Sequence, residues 1–174
     1  MKMREPTKVT IGDYNFYIHP FGAMKSANIS GELVGFISPI IGALVALVGG
    51  DTADMDSVFD MNIEDAAPVI IKAFSTINGE TVEKLLTTLI IANKNIAFDT
   101  DEDQKVEWLD KFNVDDLFVG DIQNMYLLAW EVIKVNYKGF FSKISDLFGS
   151  QGNLREAIKN LATTETLTPE DSAQ

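Results

Sequence analysis

The stretch GELVGFISPIIGALVALVGGD, residues 31–51, carries no charge between Leu33 and Gly50. At about 18 residues it reaches the length at which one helix can span a bilayer. It is the segment that most limits what the chain can become, because it must be hidden either in lipid or in protein. Its own residues favour protein. Gly35, Gly42, Gly49 and Gly50 weaken a long helix and Pro39 removes a backbone donor, so two short helices broken near Ser38-Pro39 are expected. The flanks lack Trp and Tyr, and the C-terminal side is Asp51, Asp54 and Asp56 where a membrane anchor would have Lys or Arg. Ser38, Gly42 and Ala46 fall four apart, so small residues line one helical face where two backbones can approach closely. That face is the expected self-association surface of a homo-oligomer. A membrane protein that uses the 33–50 run is the alternative.

The rest of the chain reads as one water-soluble domain. Apolar residues make up 46% and charged residues 23% of 174 positions, enough for a real core. The formal charge of −12 excludes the basic face that nucleic-acid binding or attachment to anionic lipid needs. With no cysteine there is no disulfide, thiolate nucleophile or Cys-ligated metal. The N-terminal MKMREPTKVTIGDY has no apolar core of a signal peptide, so none is expected.

Periodicity places the elements. Val9 and Ile11, then Tyr14, Phe16 and Ile18, alternate around Gly12-Asp13 as a β-hairpin. Residues 49–62 are acidic and Gly-led and are expected to form a linker. Asp65 is the expected cap of a helix with Pro68 in its first turn and a stripe of Val69, Ile70, Ala73, Phe74 and Ile77. After Asn78-Gly79 a second helix carries Val82, Leu85, Leu86, Leu89 and Ile90. NIAFDTDEDQKVEWLD is expected as a second small hairpin near 95–110 with an acidic tip. NVDDLF forms a capped turn, and a long helix starts after Asp121. An amphipathic piece, NLREAIKNLA, precedes the polar, Pro-containing end of the chain.

Chemistry-bearing patterns are sparse. His19 stands alone before Pro20, with no cysteine or elbow serine beside it, and reads as a turn histidine, not a base. No phosphate-cradling glycine loop is present. No catalytic residue and no cofactor are assigned. The nearest approach to a metal site is DTDEDQKVEWLD, which sets Asp99, Asp101, Asp103 and Asp110 at calcium-loop positions 1, 3, 5 and 12. Gln104 stands where such a loop needs glycine, and Asp110 is shorter than the usual terminal Glu, so a solvated acidic hairpin tip is the favoured reading.

The last helix offers the best interaction surface. Its main stripe runs through Tyr126, Ala129, Ile133 and Tyr137. The opposite arc is polar but contains Leu127 and is bordered by Trp130 and Phe141. Leu127, Trp130, Lys134, Tyr137, Phe140 and Phe141 are the expected partner-binding residues; burial of the helix on both sides is the competing expectation.

Two blocks carry a family likeness. The first, HPFGAMKSANISGELVGFISPIIGAL, supplies Pro20, Phe21, Ala23, Ser30, Gly31, Glu32 and Leu33. The second, VDDLFVGDIQNMYLLAWEVIKVNYKGFF, supplies Phe118, Gly120, Asp121, Tyr126, Val132, Asn136, Tyr137, Phe140 and Phe141. Together they resemble the tail assembly chaperones of long-tailed bacteriophages and prophages. The acidic Asp99–Asp103 insert has no counterpart in that pattern. The resemblance implies a non-enzymatic helper that binds the tape measure protein and keeps it soluble while the tail tube polymerises, with the tail tube protein as a further candidate partner. It implies action in the cytoplasm of the bacterial host and absence from the mature virion. A structural tail or connector protein retained in the virion, and a small holin-like membrane protein, are the alternatives.

The expected architecture is α+β and mostly α-helical. One domain spans residues 1–163 with the acidic linker inside it, and residues 164–174 form a polar tail expected to be disordered.

Overall fold

The computed structural model describes residues 5–48, 55–100 and 105–149; at 34, 36, 38, 39, 42, 43, 45–48, 55, 100 and 144–149 the description stops at the backbone. The chain is α+β and mostly helical. Strand β1 (Thr7–Ile11) and strand β2 (Tyr14–Ile18) pair antiparallel, with Val9 opposite Phe16 and Ile11 opposite Tyr14. Both predicted hairpins form, but they are halves of one sheet. Strand β3 (Ile96–Thr100) adds to β2 with Phe98 opposite Phe16, and the short β4 (Glu107–Trp108) closes the order β1-β2-β3-β4. Two-residue alternation puts Phe16, Ile18, Ile96 and Phe98 on the same buried face, a surface no lone hairpin could hide.

Gly12 makes the first turn possible. Its φ is +58°, and a Cβ built there would lie 2.8 Å from Asn124 Nδ2. Gly12→Ala therefore meets left-handed backbone strain of about 1–2 kcal/mol and also pushes on the side chain that bonds Asp121. A urea titration should show a loss of about that size or slightly more. Adding Asn124→Ala should relieve the collision and leave the backbone strain.

The helices depart from expectation in three places. First, α1 (Ala23–Val48) is one helix, running through Ser38 and Pro39 without a break. An interior proline costs about 3 kcal/mol or more. One face of α1, however, buries Ile29, Leu33, Ile37, Ile40, Ile41 and Leu44 to 2% exposure or less. At about 1.5–3 kcal/mol for each fully buried aliphatic chain, that face outweighs the lost bond. Second, part of the expected linker is a helix: in α2 (Met55–Phe59), Val58 and Phe59 are each 1% exposed. Residues 60–62 turn from α2 into α3, and 49–54 lie outside the described residues. Third, α3 (Ile63–Ser75) begins ahead of Asp65, with Asn62 at its N-cap, so Pro68 stands inside the helix and past its first turn.

Helix α4 (Gly79–Leu86) starts where predicted, with Asn78 Oδ1 accepting from Thr81 N at 2.9 Å. It continues as a π-helical turn, Thr87–Ile91, in which Ala92 N donates to Thr87 O. Leu89 and Ile90 are fully buried in that turn, which packs on the last helix. A single turn, α5 (Val114–Leu117), leads into α6 (Ile122–Gly149).

The apolar run is stowed against protein. Helix α1 packs on α3, and α3 packs on α6, whose Leu128, Ala129, Val132 and Ile133 are fully buried. Among the described residues no helix is long and apolar enough to cross a membrane. Ser38, Gly42 and Ala46 belong to α1, but their side chains lie outside the described residues, as do the NLREAIKNLA segment and the tail.

Candidate functional site

Helix α6 collects the residues that both the periodicity and the family likeness single out. Its start is exposed, and the core begins beyond it, with residues 128–133 buried. Tyr126 stacks on Phe74 of α3 with centroids 4.8 Å apart and planes at 8°, and Leu127 is half-buried. Trp130 is 1% exposed, Tyr137 2% and Phe141 7%. Lys134 bonds Glu131 at 2.9 Å, an (i, i+3) pair in which the Glu side chain is only 8% exposed. Of the expected docking residues, Phe140 alone is counted among the exposed hydrophobics, at 41%. The helix is thus flanked by protein on both sides through its middle, and its aromatic edge reaches solvent only near its C-terminal end.

That edge is a row of rings. Phe140 meets Phe141 edge-on at 5.3 Å; Phe59 of α2 then stacks on Phe141 at 6.0 Å and on Trp130 at 5.5 Å, with planes 10° apart in the second contact. Phe59 was not singled out by the sequence reading. The available signal was the (i, i+3, i+4) spacing of Met55, Val58 and Phe59, set among the aspartates that suggested a linker. Two polar ties flank the ring: Lys138 Nζ pairs with Asp60 Oδ1, and Ser142 Oγ donates to Asp56 Oδ1 at 2.7 Å.

The two sequence blocks of the family likeness meet where the segment leading into α1 crosses α6. Phe21 N donates to Asn136 Oδ1 at 2.7 Å, while Asn136 Nδ2 donates to Val132 O at 2.8 Å. Tyr137 OH donates to Ser26 O at 3.1 Å. These bonds clamp the start of α1 to α6. Phe118 stacks on Phe16 at 6.0 Å and 10°, joining the sheet to the turn before α6, and Gly120 takes φ +76° there. Leu33 and Val132 are fully buried, whereas Glu32 makes an exposed ion pair with Lys84 at 3.3 Å. Of these shared positions, Leu33, Phe118, Val132, Tyr137 and Phe141 are buried in the core, whereas Ala23, Gly31, Glu32, Gly120, Asp121 and Phe140 are exposed.

Burial pushes the Tyr137 phenol up to about 12, against a smaller opposing effect of its bond to Ser26. The phenol is therefore a protonated donor at neutral pH. Because the folded state holds this proton more tightly than the unfolded chain, the stabilisation is fully present below the ordinary value of 10.0 and is lost as pH climbs toward about 12. Urea unfolding between those values should show wild type losing more stability than Tyr137→Phe, since the variant removes this titration and leaves the other tyrosines and lysines in place.

The acidic candidates are engaged otherwise. Asp99 is 7% exposed on β3; its Oδ1 accepts from Asn15 Nδ2 at 3.0 Å and its Oδ2 from Tyr17 OH at 2.8 Å. Asp110 Oδ1 accepts from the backbone N–H groups of Phe112 and Asn113, shaping the turn into α5. Asp101 and Asp103 lie outside the described residues. Among the described residues no cluster of His, Asp and Glu is placed to hold a metal ion. His19 follows β2 directly: its backbone N–H donates to Asn95 O at 2.8 Å, and its ring lies 5.3 Å from that of Trp108.

The order and spacing of the two blocks, now seen to build one clamp on one helix, agree with a wider match. The chain matches the family model described as phage tail assembly chaperone protein, TAC, over residues 12–149. The chain belongs to that family. Comparison with curated proteins and with solved structures returns no match. The matched span runs from the first hairpin turn to the end of α6 and so takes in every described element of this chaperone except β1. Its place in tail assembly implies phage tail proteins as partners.

Proposed function

We propose that this chaperone binds the tape measure protein and holds it soluble while the tail tube polymerises around it. The observation that carries the reading is the aromatic edge of α6, where an exposed ring, Phe140, continues directly into covered ones. A holdase for a long helical client needs such apolar surface, together with charge that keeps the complex dispersed. The chain's charge of −12 meets the second need. Holding of this kind requires no bond-making group, and the role assigned is non-catalytic. The place of action is the cytoplasm of the host, before the tail matures.

Co-expression with the tape measure protein of the same phage tests this. The client should move from the pellet to the supernatant and co-purify with the tagged chaperone, and mass spectrometry of finished particles should find no copy of this chain. A client that stays insoluble and unattached would remove the reading. Recovery of the chain from particles would favour a structural tail component.

A further inference from the structure

The geometry points to α2 as a placeholder: it occupies, with Phe59, the slot between Trp130 and Phe141 that a client helix takes when it displaces α2. The inference rests on the proposed client-holding role and names the site and chemistry of that role. Three features support it. The slot is an aromatic clamp of two rings from α6, and its present occupant is a single ring, Phe59. Two polar ties join α2 to α6 on either side of the ring, and the Asp60 side chain in one of them is 67% exposed, where ion pairs contribute little. Exposed Phe140 abuts Phe141 at the rim, giving an incoming apolar chain a first contact continuous with the slot.

The resident helix also shows what fits. Asp56, Val58, Phe59 and Asp60 present an aliphatic-aromatic pair between two carboxylates four residues apart. Ser142 and Lys138 receive the carboxylates, and the clamp receives the ring. The client segment is therefore a helix bearing the same arrangement, an aromatic residue flanked by acids, and it competes with α2 for Lys138. Such competition lowers apparent affinity by the fraction of time the slot is open, so loosening α2 tightens client binding.

The chain has no cysteine, so Asp56→Cys with Ser142→Cys provides a unique pair, at side chains that meet at 2.7 Å, for a short thiol-to-thiol crosslinker. The probe is tape measure protein diluted out of urea, with the amount kept in the supernatant and on the tagged chaperone measured. The crosslinked form should hold at least about fivefold less client than the same double variant left uncrosslinked. Asp60→Asn, an exposed change that leaves Lys138 for the client, should tighten binding about two- to fivefold. Equal holding by crosslinked and uncrosslinked protein, or no gain from Asp60→Asn, would overturn the placeholder while leaving the chaperone role intact. Failure of the wild type to hold any tape measure protein would overturn both.

Discussion

Trp130→Ala should lower the unfolding free energy by about 3–5 kcal/mol, the range for deleting a large aromatic side chain from a packed core. Trp130 is 1% exposed and stacks on Phe59, so the substitution opens a cavity at the point where α2 meets α6. A domain of this kind has about 5–15 kcal/mol in all, so the variant should show a much lower urea midpoint. Phe140→Ala, at a ring 41% exposed, should leave that midpoint nearly unchanged while reducing client retention. A Trp130→Ala protein as stable as wild type would mean that the α2–α6 contact does not persist in solution.

Ile37→Lys should be at least as damaging, at about 4–6 kcal/mol. Ile37 is fully buried on α1. The change forfeits about 1.5–3 kcal/mol of apolar burial and leaves an ammonium, or a neutral amine in its place, with no partner, at a further cost of several kcal/mol. Far-ultraviolet circular dichroism and the soluble yield would read the loss. One and a half turns away, Gly31 is exposed, with nothing within 4 Å of an added Cβ. Gly31→Ala should therefore stabilise the same helix by about 0.5–1 kcal/mol. Opposite signs at these two positions mark α1 as a helix with one protein-facing side. Tolerance of lysine at 37 would show that this side faces something other than a core.

The aromatic edge explains why helix geometry alone leaves exposure and burial of α6 as competing expectations. A helical wheel sorts Trp130 and Phe141 to the border of a polar arc, since their neighbours Glu131, Lys134 and Lys138 are charged. In the fold those charges are absorbed locally. Glu131 and Lys134 pair with each other, and Lys138 with Asp60, so the border closes over with Phe59 in place. Asp99 follows the same logic: its acidic neighbours favour a solvated tip, yet it is 7% exposed, and Asn15 and Tyr17 reach its two oxygens from the neighbouring strand.

The sequence by itself determined the first hairpin and the apolar faces of α3 and α4, because local periodicity and turn chemistry depend only on near neighbours in the chain, and its two blocks carried the family likeness. Only the tertiary structure decided three other matters. It kept α1 unbroken through Pro39, because burial on α3 outweighs a missing hydrogen bond. It joined two hairpins into one sheet, because neither could cover its apolar face alone. It folded part of an acidic stretch into α2, because Phe59 finds two rings on a helix about 80 residues away that no local pattern can reveal.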